Sequence, residues 1–340
     1  MVTIKDVAKK CGFSVCTVSR ALSGKGYLKE ETRQKIMEAV AELNYRPNTL
    51  AVNLKTGRRQ TLALILPSLT NIFYAKLEQY MEAFASEKGY LLYLSNTEYS
   101  LEKEKQIIEN LAGMDIVGVI IFTASGEHEH IKKLSGFGIP YVYMNRYFED
   151  DLEHCLRLDN KKAAFEAVNY MIQLGHRNIG GIFQSFANSS YQERYEGMME
   201  ALAAHGLTCH PDNLLLDVNP EDMGTTPARI LQMLQQPDRP MAIFACNDMM
   251  AFNVYRAAYI LGLQIPEHLS VFGYDNCIMA NFVTPPLSTV SAPAKQLSSI
   301  AVDFIDHHIQ TGDIKKLPVL NASLVIRNSV KNLKDYKEGQ

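Results

Sequence analysis

The sequence predicts a small all-α head carrying a helix-turn-helix, followed by a two-lobed α/β body with a parallel sheet in each lobe. Three observations predict it. The opening residues hold short apolar runs at helical spacing, punctuated by a glycine. From residue 61, β-branched apolar runs alternate with helical patterns, the texture of parallel sheets covered on both faces. The two parts also differ in charge. Residues 1–60 hold twelve Lys and Arg against five acidic residues, a net +7, so the rest of the chain carries −10 of the overall −3.

The head comes first. Apolar residues at 4, 7, 8 and 11 lie on one helical face. Gly12 ends that helix, because glycine takes positive φ without steric penalty. Ser14 is a good N-cap for a second helix, with Val15, Val18 and Leu22 as its apolar stripe. Two short helices around a tight turn read as a helix-turn-helix. A third helix over about 30–44 brings Ile36, Met37, Val40 and Leu43 to a shared core, and Tyr45-Arg46-Pro47 stops it. A positive head attracts phosphates. The second helix of such a motif enters the major groove with its first residues against base edges. Those are Val15 and Cys16, then Arg20 one turn on. Arg20 can donate twice to a guanine or, alternatively, hold a phosphate. Val15 offers an apolar patch to a thymine methyl, and Cys16 is a weak donor. Thr3, Lys5, Thr17, Ser19 and Asn48 are placed for phosphates, which set register without carrying sequence information. Double-stranded DNA is the expected partner, read by a dimer on an approximate palindrome.

Residues 48–54 are short and mildly apolar, a linker on their own account, since one or two helical turns are marginal in water. Beyond them, strands are expected at 61–66, 90–95, 117–122, 141–144, 179–183, 241–245 and 269–273, with helices near 74–88, 102–113, 161–174, 192–205, 225–236 and 248–262. A break falls at Arg157-Leu158-Asp159-Asn160. A helix near 294–310 and a last strand near 319–326 close the chain. Residues 330–340 form a polar tail without a leucine heptad, so a four-chain assembly is not expected.

Thr-Ile-Lys-Asp-Val-Ala at 3–8, Thr-Val-Ser-Arg at 17–20, Glu-Glu-Thr-Arg at 30–33 and Tyr-Arg-Pro-Asn at 45–48 resemble the DNA-binding head of the lac/gal repressor family. The resemblance continues through Leu-Gly-His at 174–176, Asn-Asp at 247–248, Gly-Tyr-Asp at 273–275 and Pro-Pro-Leu-Ser-Thr-Val at 285–290. It implies a helix-turn-helix domain over 1–46, a hinge helix and linker over 47–60, and a periplasmic-binding-protein-like body over 61–329 for effector binding and dimerisation. It divides that body into a first lobe of about 61–159 plus 291–318 and a second of about 160–290 plus 319–329. It also implies that the hinge folds when two copies meet on DNA, with Ala51, Leu54 and Lys55 among the contacts. Leu54 would wedge between base pairs of the minor groove, unstacking a step in exchange for added contact.

Two lobes with a crevice suit a small ligand, bound outside the carboxyl ends of the strands. Polar residues stand at such ends: Asn145 and Arg146, Asn247 and Asp248, Asp275 and Asn276. The resemblance assigns effector binding to Arg194 (of Arg-x-x-Gly, with Gly197), Asn247 and Asp275, and Asn145 joins them by its place. An arginine with an aspartate suits a hydroxyl-rich ligand; the alternative is a pair that ties the lobes shut. Phe73 and Tyr74 make an apolar wall or ordinary core. A sugar is the family's common effector. With no tryptophan to stack on a ring, Phe73, Tyr74, Phe186 or Tyr191 must serve. Relatives that take a purine use a second arginine six residues before the one matching Arg194. Here that position is Asn188, which favours a sugar or sugar derivative.

No Gly-x-Ser-x-Gly, P-loop, dinucleotide fingerprint or paired metal ligands are present, so neither an enzyme nor a cofactor is expected, and solitary His176 reads as a helix cap. Cys11, Cys16, Cys155, Cys209, Cys246 and Cys277 form no disulfide or metal framework. An extracytoplasmic sugar carrier would share the body but lack the basic head. No apolar run reaches a membrane span and no signal peptide precedes the first helix. A cytoplasmic, nucleoid-associated repressor, gated by a small molecule, is the expectation.

Overall fold

A computed structural model describes residues 2–23, 28–43, 45, 61–111, 113–219, 221–222 and 224–334. The chain divides into two compact units, Met1–Arg59 and Gln60–Gln340.

The head holds three helices, α1 (Ile4–Cys11), α2 (Val15–Ser23) and α3 (Glu30–Glu42). Thr3 and Asp6 build a capping box on α1: the Asp6 carboxylate accepts from the Thr3 amide at 2.8 Å and from its hydroxyl at 2.7 Å. That first hydroxyl bond holds the Asp6 pKa below the ordinary carboxylate value. Gly12 ends the helix at φ +75°, its N–H on the Ala8 carbonyl. Ser14 Oγ accepts from the Thr17 amide at 3.1 Å, so the expected cap starts α2. Val7, Ala8, Val18, Ala21, Ile36 and Ala39 form the core. Met37, expected inside, is 47% exposed. Residues 36, 39, 40 and 43 share one helical face, and 37 is rotated off it.

The body holds two six-stranded sheets. In the first, β1 (Thr61–Leu66) lies between β2 (Leu91–Asn96) and β3 (Ile116–Ile121), followed outward by β4 (Tyr141–Met144), β5 (Cys155–Leu158) and β11 (Val319–Leu320), all parallel. In the second, β7 (Leu214–Leu215), β6 (Ile179–Ile182), β8 (Ala242–Ala245), β9 (Ser270–Tyr274) and β10 (Ser288–Ser291) are parallel, and β12 (Ser323–Val325) closes the edge antiparallel. Helices α4 (Ile72–Glu87), α5 (Leu101–Leu111) and α6 (Glu129–Gly136) belong to the first lobe. The second holds α7 (Asn160–Gln173), α8 (Ser189–Ala204), α9 (Thr225–Leu234) and α10 (Asp248–Ile260). The last helix, α11 (Ala294–Thr311), returns to the first, where Ala301, Val302, Phe304 and Ile305 join its core.

The expected closing strand near 319–326 is instead two strands in different sheets. Val319 and Leu320 pair with β5 in the first sheet, which corrects the assignment of 319–329 wholly to the second lobe. The chain therefore passes between lobes after β5, after β10 and between β11 and β12, so the lobes are hinged by three strands. The tail is docked at its start: the Leu333 amide donates to the Leu174 carbonyl at 2.8 Å. His176 closes α7 as expected, through its backbone: its N–H donates to the Met171 carbonyl at 3.2 Å. Its Nε2 lies 3.0 Å from the Lys331 carbonyl, and burial lowers its pKa. Among the described residues no helix is long and apolar enough to cross a membrane.

Candidate functional site

In the head, α2 turns Val18 and Ala21 inward, which leaves Cys16 and Arg20 exposed on the other side; Val15, in the first turn at the flank of the apolar stripe, is exposed as well. Thr3 and Lys5 are exposed beside the start of α1. Thr17 and Ser19 are half-buried, and the Thr17 hydroxyl lies 2.8 Å from Ser14 Oγ. Asn48, Ala51, Leu54 and Lys55 lie outside the described residues.

In the body, side chains from both lobes converge at the carboxyl ends of the strands, the place expected for a ligand in open α/β sheets. Phe73, Tyr74, Asn145, Arg194 and Asp275 line one cavity there, together with Phe122, Arg146 and Tyr191. The cavity measures about 10 Å³, room for roughly one water. The lobes are closed over it. Between the lobes Glu221 of the second accepts from Thr70 of the first at 2.6 Å, and from the Ser68 hydroxyl.

The local sequence explains how each group arrives. Asn71 caps α4, its side chain accepting from the Phe73 amide at 3.1 Å, so Phe73 and Tyr74 sit in the helix's first turn. Their rings meet at 5.5 Å, and Tyr74 stands edge-on to Phe122 at 5.2 Å. Both also join the first lobe's core, so wall and core readings hold together. Asn145, at the end of β4, has φ +53°, and Asp275, at the end of β9, has φ +110°. Non-glycine residues in this region are strained and cluster at ligand sites.

Arg194 reaches the cavity because α8 crosses α7 closely. A Cβ on Gly197 would lie 2.1 Å from the Lys161 carbonyl oxygen, so only glycine allows the approach. The guanidinium is 3% exposed and spent on several partners. Nε donates to Asn160 Oδ1 at 3.1 Å, Nη1 donates to the Cys246 carbonyl at 2.6 Å, and Asp275 lies 3.7 Å away. It also stacks 3.5 Å over the Tyr274 ring. Arg194 and Asp275 both belong to the second lobe, so their pair does not tie the lobes together.

Asn247 does not line the cavity. It caps α10, accepting from the Met250 amide at 2.9 Å and donating to Gln184 Oε1 at 2.6 Å. Phe186 packs on Tyr195 at 5.0 Å, outside the lining, whereas Tyr191 is within it. Asn188 caps α8 and accepts from the Ser190 amide and hydroxyl, at 3.1 and 2.7 Å. Arg146 was not among the expected binding residues, although its place after Asn145 at a strand end could have marked it.

Burial raises the Asp275 pKa from 3.8 to about 8, against the pull of Arg194. Burial likewise raises Asp248 to about 6. A raised carboxyl binds protons more tightly folded than unfolded. Its stabilisation is complete below about pH 4 and is lost as pH rises through about 8. Asp275→Asn is therefore expected to flatten the fall in unfolding temperature between pH 5 and 9. Thermal melts across that range check this, and parallel curves for the two proteins would refute it.

Residues 3–48 match the family of bacterial regulatory proteins described as lacI family, and residues 168–330 match a periplasmic binding protein-like domain. The chain is 31% identical over 335 residues to the HTH-type transcriptional repressor PurR of Pasteurella multocida (strain Pm70), covering 98% of this chain and 99% of that one. It is 29% identical over 338 residues to the ribose operon repressor of Haemophilus influenzae (strain ATCC 51907 / DSM 11121 / KW20 / Rd), covering 98% and 100%. Its fold is similar to that of the lac repressor dimer bound to operator and the anti-inducer ONPF, with a TM-score of 0.84 at 24% identity, over 97% and 99% of the two chains. The basic helix-turn-helix, the hinged two-lobed body and these relatives together place the chain in the lacI family of bacterial regulatory proteins, as a DNA-binding transcriptional repressor and not an enzyme.

Proposed function

We propose that two copies of this chain bind a roughly palindromic operator and that a sugar or sugar derivative in the body's cleft changes their grip on it. One observation carries the ligand half: Phe73, Tyr74 and Asn145 from one lobe meet Arg194 and Asp275 from the other around a single cavity. Aromatic faces with a guanidinium, a carboxyl and a carboxamide suit a hydroxylated ring. The cavity is too small for a sugar while the lobes are closed, so a ligand must part them. Its affinity is then tied to their spacing.

The sugar reading is favoured over a purine because Asn188, held as a helix cap, supplies no second arginine fork at its position. The ribose operon repressor among the relatives agrees with it. A second copy is supported by exposed apolar side chains on the second lobe: Ile278 and Phe282 are 60% and 69% exposed and Tyr259 is 86% exposed. Such surface is a common mark of an interface. Residues 47–60 would act as the hinge, and the protein would work in the cytoplasm, at the nucleoid.

Operator DNA titrated with candidate sugars and purines tests the proposal. A shift in operator affinity of about 5- to 150-fold is the range for such coupling, and ligand affinity must change by the same factor on DNA. Unchanged operator affinity with every ligand would count against an effector-gated switch. Leu54→Ala is expected to weaken operator binding about tenfold or more, the scale of losing a wedge that offsets a few kcal/mol of unstacking. Ligand affinity without DNA should stay unchanged; a large loss there, read by calorimetry, would sink the wedge role.

A further inference from the structure

The cleft holds a buried cation that the fold itself leaves unbalanced. Arg146 is 4% exposed and lines the cavity. Its Nη1 donates to the Asn145 carbonyl at 2.9 Å and approaches Ser190 Oγ at 3.5 Å, and its Nη2 donates to the Thr123 carbonyl at 3.1 Å. These partners are neutral, as is the Tyr74 hydroxyl that also meets it, and its buried Nε has no partner among the described residues. Arg194 has Asp275 beside it, but Arg146 forms no ion pair with a described residue. The buried carboxylate behind Thr123 is not available either. Glu104 is taken by His130 at 2.8 Å, the Thr123 hydroxyl at 3.0 Å and the Ala124 amide at 2.5 Å. Burying a lone guanidinium is costly, and such charges are normally paired. Nε keeps a donor direction open, and an arginine fork matches the two oxygens of a carboxylate or phosphate.

The backbone adds to the same sign. Two 16-residue helices begin at this cavity. Asn71 caps α4, and Ser190 lies in the first turn of α8. Helix starts carry partial positive charge and free N–H groups that favour anions. The carboxyl of Asp275 stands at the end of β9, next to Arg194, where it can serve ligand hydroxyls.

The geometry points to an effector that is a polyhydroxylated anion, a sugar phosphate or a sugar acid, with its charged group on Arg146 and its hydroxyls on Arg194, Asp275 and Asn145. This deepens the sugar reading above and rests on it. A neutral sugar would leave the guanidinium uncompensated in the cleft.

The test uses the full-length protein without DNA. Calorimetry compares glucose with glucose 6-phosphate and gluconate, and ribose with ribose 5-phosphate, on the wild type, Arg146→Gln and Arg146→Lys. The expected result is that an anionic form binds at least tenfold tighter than its parent sugar. Arg146→Gln should erase that margin, and Arg146→Lys should keep part of it. Ester and acid arms separate phosphate from carboxylate recognition. Inorganic phosphate, against chloride at equal ionic strength, should raise the body's unfolding temperature in the wild type and not in Arg146→Gln. A parent sugar binding as tightly as its anionic forms would overturn the inference, as would equal phosphate responses in the two proteins. A neutral sugar that binds and shifts operator affinity would sink this inference alone. Anion binding at Arg146 with no effect on operator affinity would sustain it and sink the gating proposal instead.

Discussion

Arg194→Ala is expected to abolish the effector response and to cost about 3 kcal/mol of stability, the low end for breaking a buried ion pair. The guanidinium holds Asn160 Oδ1 at 3.1 Å, the Cys246 carbonyl at 2.6 Å and the Tyr274 ring at 3.5 Å, and lies 3.7 Å from Asp275. Alanine strands a buried carbonyl and leaves the carboxyl without a cation. The low end applies because Asp275, already raised to about 8 by burial, can take a proton rather than remain an unpaired charge. Arg194 also lines the cavity, so ligand affinity should fall by about a hundredfold, roughly 2.7 kcal/mol. Arg194→Lys should not restore it, because an ammonium cannot span two fixed acceptors. Urea unfolding measures the first effect and calorimetry without DNA the second. Lost stability with intact ligand affinity would mean that Arg194 only braces α8 against the strand ends.

The legible parts of this fold are those where a local signal and the tertiary answer agree. Gly12 and Ser14 marked the head's helices because a glycine stop and a cap act within a few residues. The body's longer strands were legible as apolar runs. Strands β5, β7 and β10 and helix α6 were not. Strand β5 (Cys-Leu-Arg-Leu) and strand β10 (Ser-Thr-Val-Ser) carry polar residues where β4 and β8, of the same length, are apolar runs, and β7 has two residues. All three strands exist because a neighbouring strand offers them pairing. Val319–Leu320 joined the first sheet for that reason. In the cleft, residue type showed where polar groups stand but not what they do. Asn145 and Asn247 are both asparagines at strand ends, yet one lines the cavity and the other is consumed by a helix cap. What separates them is the backbone, at φ +53° in one and −155° in the other. Arg146 carried a strand-end signal as plain as that of Asn145. Only the absence of a carboxylate partner among the described residues, seen in three dimensions, shows how its charge stands.

Arg20→Ala is expected to remove most of the operator's specific affinity. Arg20 lies exposed on α2 one turn beyond Cys16, on the side away from Val18 and Ala21. A bidentate arginine–guanine contact is worth about 1–3 kcal/mol of discrimination. A dimer on a palindrome loses it twice, about 2–6 kcal/mol in all, or from some 30-fold to about 10⁴-fold in affinity. No neighbour replaces it, since Val15 is apolar and the Cys16 thiol a weak donor. The two roles for Arg20 separate in a salt titration. A base reader, when lost, lowers affinity for the operator much more than for random DNA and leaves the salt dependence nearly as it was. A phosphate contact, when lost, weakens both DNAs alike and reduces the salt slope by about one for each arginine. The reader role therefore fails if Arg20→Ala binds operator and random duplex with the same proportional loss. In that case sequence recognition by the head would have to come from Val15, from Cys16 and from the shape of the DNA.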